Sequence, residues 1–266
     1  ALSYKGLQLD NRGGLLSAAG PVRLQAGSLD NSGGRISSQR TLVAQFGQMI
    51  NQGGGLVAQG DLLLAGSHLD NRAKGLIGGT SALRLNVAEI DNRGGEISTT
   101  KALAMRGTRL DNSDSGKVLA GSALQLQMTE VLNRNLGLLS ATGPLTLSGQ
   151  QLDNGQGRLV SGGDLDVGLV GGLTNQQGLI SAEGRLGVTV GKLDNSSGKL
   201  SSAAGLSLTS AGTLLNRNGS ITTDAGLALT SQSLDNGQAG LLSSKGAAKV
   251  ATGTFDNGKR VQRQTL

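Results

Sequence analysis

The sequence predicts an all-β chain wound into a right-handed parallel β-helix, a solenoid of about 13 coils with 20 or 21 residues in each. Three observations carry this expectation. An Asn recurs at an almost fixed interval, the residues around it alternate apolar and polar with period two, and Gly fills 45 of 266 positions while only 1% are aromatic. A repeat of this length marks a stacked architecture in which each unit is one supersecondary element. Disorder is disfavoured because aliphatic residues recur throughout and only 16% are charged.

The anchor comes first. Asn stands at Asn11, Asn31, Asn51, Asn71, Asn92, Asn112, Asn133, Asn154, Asn175, Asn195, Asn216, Asn236 and Asn257, thirteen copies with spacings of 20 or 21. The residue two before each is apolar, and the residue between is Asp in nine copies, so the anchor reads Leu-Asp-Asn. Before it, apolar residues sit nine and seven positions upstream in eleven copies, as with Leu83 and Leu85 or Leu124 and Leu126. That alternation is the pleat of a half-buried strand.

Five residues after the anchor Asn comes a large aliphatic in eleven copies, among them Leu16, Ile36, Leu76, Ile97, Leu138 and Leu241. Two residues later comes a small side chain, among them Ala18, Ser38, Gly78, Thr99, Ser140 and Ser243. Large against small fills a narrow interior without aromatic volume. Corners such as Gly13-Gly14, Gly33-Gly34 and Gly94-Gly95 supply positive φ. Each unit therefore reads as about three strands of three to five residues.

No unit is stable alone. Ordering about twenty residues costs on the order of 30 kcal/mol, more than a few buried aliphatics return. Stacking coils at about 4.8 Å closes the backbone ladders and joins the cores into a rod roughly 60 Å long. Stacked Asn side chains then form an amide ladder. Stacked Asp side chains repel, and Arg12, Arg72, Arg93, Arg134 and Arg217, each directly after an Asn, are expected to contact Asp of neighbouring coils. Such exposed pairs contribute under about 1 kcal/mol each.

Irregular copies locate departures from a uniform rod. The alternation slides by one before Asn175 (Leu165, Val167, Leu169) and before Asn216 (Leu206, Leu208), which predicts a bulge in each. In the Asn112 copy Ser113-Asp114-Ser115 lengthens the turn and moves Val118 into the inward slot. A receptor or glycan bound by the rod itself would be sought near these shifts, around Gly168 to Asn175 and Ala211 to Asn216.

Little in the chain points to chemistry. With no Cys and only His68, disulfides, thiolate sites and multi-histidine metal sites are excluded. The stretch Gly253 to Lys259 approximates a phosphate-binding loop, but Arg260 replaces its final hydroxyl residue and its middle is the anchor itself. Calcium-binding β-rolls need a nine-residue period. A β-helical polysaccharide enzyme needs a carboxylate pair in a cleft, and half the acidic residues here belong to the anchor. The expectation is no enzyme, no cofactor and no metal. The net charge of +6 is spread from Lys5 to Arg263 without stacking aromatics, which argues against nucleic acid. No apolar run nears the roughly 18 residues of a membrane span, so membrane insertion is not expected.

The repeat (Leu/Ile)-Asp-Asn-x-Gly-Gly-x-(Leu/Ile)-Ser, followed by Leu-x-Leu, resembles the haemagglutinin repeat of filamentous haemagglutinins and contact-dependent growth inhibition exoproteins. It is clearest from Leu9 to Leu24, Leu29 to Leu42 and Ile90 to Leu103. The resemblance covers nearly the whole chain. It implies a large exoprotein of a Gram-negative bacterium, exported through an outer-membrane two-partner secretion transporter and displayed at the cell surface as a filament. It further implies adhesion through a target-cell receptor or surface glycan, or delivery of a toxin. On this reading residues 1–266 are one β-helical segment of a larger protein, with uncapped ends open to end-to-end association. The tail 258–266, where Gln262 falls in an apolar slot, is expected to fray.

Overall fold

The computed structural model describes residues 1–258 as a parallel β-helix built wholly of strands. The expected frayed tail lies, from residue 259 onward, outside the described residues. Twelve complete coils are present, and the strand Ala248–Asp256 with Asn257 begins a thirteenth. Each coil is named below by its anchor Asn.

A coil holds two strands rather than the expected three. A long strand of nine residues, such as Leu83–Asp91, runs through the anchor Asp, and a four-residue strand, such as Glu96–Thr99, follows the turn. The upstream and anchor segments merge because the backbone keeps pairing through the corner between them. The corner survives as a break in alternation, with buried, exposed and buried residues giving way to two successive exposed ones, Ala88 and Glu89, before Ile90 turns in. Only in the Asn154, Asn175 and Asn195 coils is the long strand divided, as in Leu145–Gly149 and Gln151–Asp153. All pairing is parallel, long strand on long strand and short on short, forming sheets of 16 and 12 strands.

The register explains every coil length. Four coils carry one extra turn residue, reading Asn-x-x-x-Gly in place of Asn-x-x-Gly, after Asn71, Asn112, Asn133 and Asn236. In each, two successive residues adopt positive φ, for example Asn135 at 50° and Leu136 at 66°. The Asn112 insertion was legible in the sequence, and Val118 is fully buried. The other three correct the expected inward positions. Leu76, Leu138 and Leu241 point outward, Leu76 and Leu241 at 38% and 49% exposure, and Ile77, Leu139 and Leu242 take the inward slots. Gly79, Ala141 and Ser244 accordingly occupy the small-residue column in place of Gly78, Ser140 and Ser243. The remaining two longer coils have their extra residue in the long strand. Val170, 77% exposed, is pushed outward between Leu165–Leu169 and Gly172–Thr174, and the ladder shifts register between Ser210 and Thr213.

The core is a thin column of Leu, Ile, Val and Met, with Phe46 its one buried aromatic. Small inward residues close the corner into the next coil. Ser161 Oγ has its one proton to share between the carbonyls of Gly143 and Asp164, at 2.8 and 2.9 Å, and accepts from the Gly163 amide, so a hydroxyl fits where volume alone would allow only Ala.

Candidate functional site

The anchor corner is the most elaborated part of the coil. From Asn11 to Asn257 the Asn side chains form one column in which each Nδ2 donates to the Oδ1 of the next at 2.6–2.8 Å, twelve bonds without a gap. Most also reach carbonyls, as Asn71 does to Gly75 and Glu96 at 3.0 and 3.2 Å. The column is buried from Asn11 to Asn236, and among the described residues no buried side-chain polar atom lacks a partner. A carboxamide suits this place because it both donates and accepts along one line.

Glycine has two separate duties at the turn. Positive φ falls on its first Gly, such as Gly13 at 61°, but Gln156, Gln177, Ser197 and Asn218 adopt the same conformation, so Gly is dispensable there. The Gly directly before every short strand is held by space. A Cβ on Gly157 would lie 1.7 Å from the Asn133 carbonyl oxygen, and one on Gly95 would lie 2.0 Å from that of Asn71. The backbone carbonyl of the column Asn one coil earlier, with the carboxamide oxygen of the same coil next to it, leaves room there for a hydrogen alone.

The Asp of the anchor forms the turn rather than merely enduring it. All nine accept a hydrogen bond from the backbone amide two residues on, as Asp30 does from Ser32 at 2.9 Å and Asp194 from Ser196 at 2.9 Å. This is an Asx turn, available to a short carboxylate and pre-shaping the corner. Composition showed only the repulsion. The signal that could have revealed the turn is Asp directly before the Asn that opens each corner.

Each of the five anchor Arg residues does meet an Asp of the next coil, with Arg72 at 3.5 Å from Asp91 and Arg217 at 2.5 Å from Asp235. Where its own coil has Asp, the Arg binds that one more closely, as Arg93 does Asp91 at 2.6 Å. Arg134 and Arg217 follow Leu132 and Leu215, and reach only the neighbouring coil. Gln52 and Gln176 donate to Asp70 and Asp194 in the same manner, both at 2.7 Å.

These contacts shift the carboxyl groups. The Arg12 side chain beside Asp10 lowers its pKa to about 2, and Arg217 lowers that of Asp235. For Asp70 and Asp194 burial pushes upward, yet hydrogen bonds from Arg72 and Gln52, and from Ser196 and Gln176, outweigh it and leave both lowered. A carboxyl group depressed in the folded state stabilises it above the unfolded value near 4 and ceases to do so as pH falls through the folded value. The thermal midpoint is therefore expected to be level above about pH 5 and to fall between about pH 4 and 2. Arg217→Gln should make that fall shallower, as read by circular dichroism melts across the pH series.

A second charged column runs along the long-strand corner. His68 lies 3.4 Å from Glu89, and Arg109 pairs with both Glu130 and Asp111, at 3.0 and 3.2 Å. Among the described residues no group of three or more His, Asp or Glu is placed to hold a metal ion. The grooves are open surface channels between coils, one lined by Lys5, Gly6, Gly27 and Phe46, another by Asp164, Arg185, Gly187 and Gly205.

The sequence matches the haemagglutinin repeat over residues 1–66, 17–114, 80–168, 170–218 and 214–261. The chain belongs to the haemagglutinin repeat family. Its membership gives a context to the anchor corner, which recurs in the coils that these matches span, and it fits a filamentous haemagglutinin-like stalk or adhesin of a secreted or cell-surface protein. No curated protein and no solved structure matches the chain significantly.

Proposed function

We propose that this chain is a structural stalk segment of a large filament secreted to the surface of a Gram-negative bacterium. It is exported through an outer-membrane two-partner secretion transporter and projects a receptor-binding region or supports contact-dependent delivery of a toxin. The observation that carries this reading is the unbroken column of twelve carboxamide bonds, which ties successive coils into one repeating body. The Asn column sets the register of the rod, and the function of the rod is reach. No cofactor or catalytic group enters this reading.

The test is length. Excising residues 92–132 joins Asp91 to Asn133 and removes two whole coils while restoring the anchor, so the rod shortens by about 10 Å. In the parent filament, successive excisions of this kind should reduce contact-dependent adhesion or delivery in proportion to lost length, whichever coils are removed. Dependence on one particular coil, with no dependence on length, would refute the stalk reading.

A further inference from the structure

The Arg residues of the anchor corner are engaged by Asp, but a different set of cations is not. On the outer face of the short-strand sheet, the first residues of five successive strands are Lys117, Leu138, Arg158, Leu179 and Lys199, aligned in one register column. Lys117, Arg158 and Lys199 are exposed, and none forms an ion pair with a carboxylate among the described residues. Glu96 precedes Lys117 in the column, accepts a hydrogen bond from Ser98 Oγ at 2.9 Å, and ends the run. The cations alternate with half-buried leucines, two coils or about 9.6 Å apart. Beside them, the third strand positions are Leu119, Ser140, Val160, Ser181 and Ser201, so hydroxyls stand beside Leu138, Leu179 and Lys199, the last two hydroxyls 3.0 Å apart.

We infer that this face, from Lys117 to Lys199, is a docking track for a linear acidic polysaccharide bearing one carboxylate per disaccharide. The inference rests on the extracellular placement proposed above. Two coils match the length of one disaccharide in an extended chain, so every carboxylate meets a cation, with Leu138 and Leu179 under the intervening sugar faces. Ser140 and Ser181, in the two leucine coils, and Ser201 beside Lys199 offer hydroxyl partners to the sugar rings. A nucleic acid strand carries a charge every 3.4 Å or so and would leave most of its phosphates unmatched. Each exposed pair is weak, and affinity comes from repetition along the track. Binding should fall steeply with salt, because the screening length of about 8 Å at physiological ionic strength is close to the cation separation.

The experiment compares two charge-neutralised proteins of equal net charge. One carries Lys117→Gln, Arg158→Gln and Lys199→Gln; the other carries Arg23→Gln, Arg84→Gln and Arg106→Gln on the long-strand face. Binding is measured to an alternating glucuronate and N-acetylhexosamine chain, to a neutral chain of the same length, to a densely sulfated chain and to vesicles containing anionic lipid. The track variant should lose about tenfold or more in affinity for the uronate chain and the control less than about twofold. The neutral chain should not bind. Equal losses in both variants, absence of uronate binding by the unaltered protein, or stronger dependence on the track for the sulfated chain or the vesicles would each overturn the inference. Solution scattering of both variants should give an unchanged rod length, so that failure here leaves the stalk reading standing, whereas a changed length would count against both.

Discussion

Replacing Asn133 by Leu is expected to destabilise the rod by about 2–4 kcal/mol, although the side chains are nearly equal in size. Asn133 sits mid-column, accepting from Asn112 at 2.8 Å and donating to Asn154 at 2.7 Å and to the Arg158 carbonyl at 3.0 Å. Leu removes all three contacts, and Asn154 Oδ1 is left buried without its donor. An unpaired buried polar group costs about 1–3 kcal/mol, more than the net contribution of a hydrogen bond. The exposed Asn257, which among the described residues accepts only from Asn236, provides the control, and Asn257→Leu should cost under about 1 kcal/mol. Urea denaturation followed by circular dichroism compares the two. Equal losses would show that burial in the column adds nothing to what each carboxamide contributes.

Gly157→Ala is expected to be more damaging still, at about 4 kcal/mol or above, or to prevent folding of the central coils. The added methyl would lie 1.7 Å from the Asn133 carbonyl oxygen and 2.8 Å from Asn154 Oδ1. The first atom belongs to backbone that is itself fixed in the ladder, so relief requires separating two coils. Gly33→Ala tests the other duty of glycine. Its φ is +62°, and a Cβ there meets nothing within 4 Å, so the cost is confined to the left-handed conformation, about 1 kcal/mol. If the two variants melt alike in urea, close approach to the Asn carbonyl of the preceding coil is not what excludes side chains before the short strand.

Much of this was legible in the sequence for a simple reason. A parallel stack repeats each residue's surroundings once per coil, so periodicity in sequence is contact in space, and the Asn column and the alternation before it needed no further information. The turn insertions after Asn71, Asn133 and Asn236 were equally available, as Asn-x-x-x-Gly against Asn-x-x-Gly. They are masked because Leu76, Leu138 and Leu241 are apolar and satisfy the pattern one residue too early. The merging of two short segments into one long strand is different. It depends on whether paired backbones stay in register around a bend, and side-chain identity does not record that. The Asx turns were hidden because each Asp has two roles, and charge repulsion is the more conspicuous. The track from Lys117 to Lys199 shows only when the insertions are counted correctly, since they bring Leu138 outward into line with the cations.

The carboxamide column also gives the rod a direction. Every amide donates the same way, from lower to higher residue number, so the group dipoles add head to tail instead of cancelling, and each bond polarises the next. In a stretch of any length the column therefore ends in one bare carboxamide oxygen at the low-numbered end and one bare carboxamide NH2 at the other, whereas the backbone ladders run both ways. The column itself can run on from one stretch to another only in the same orientation, since a reversed junction would set its like poles together. Growth of the helix is thus vectorial in its electrostatics as well as in its chain order.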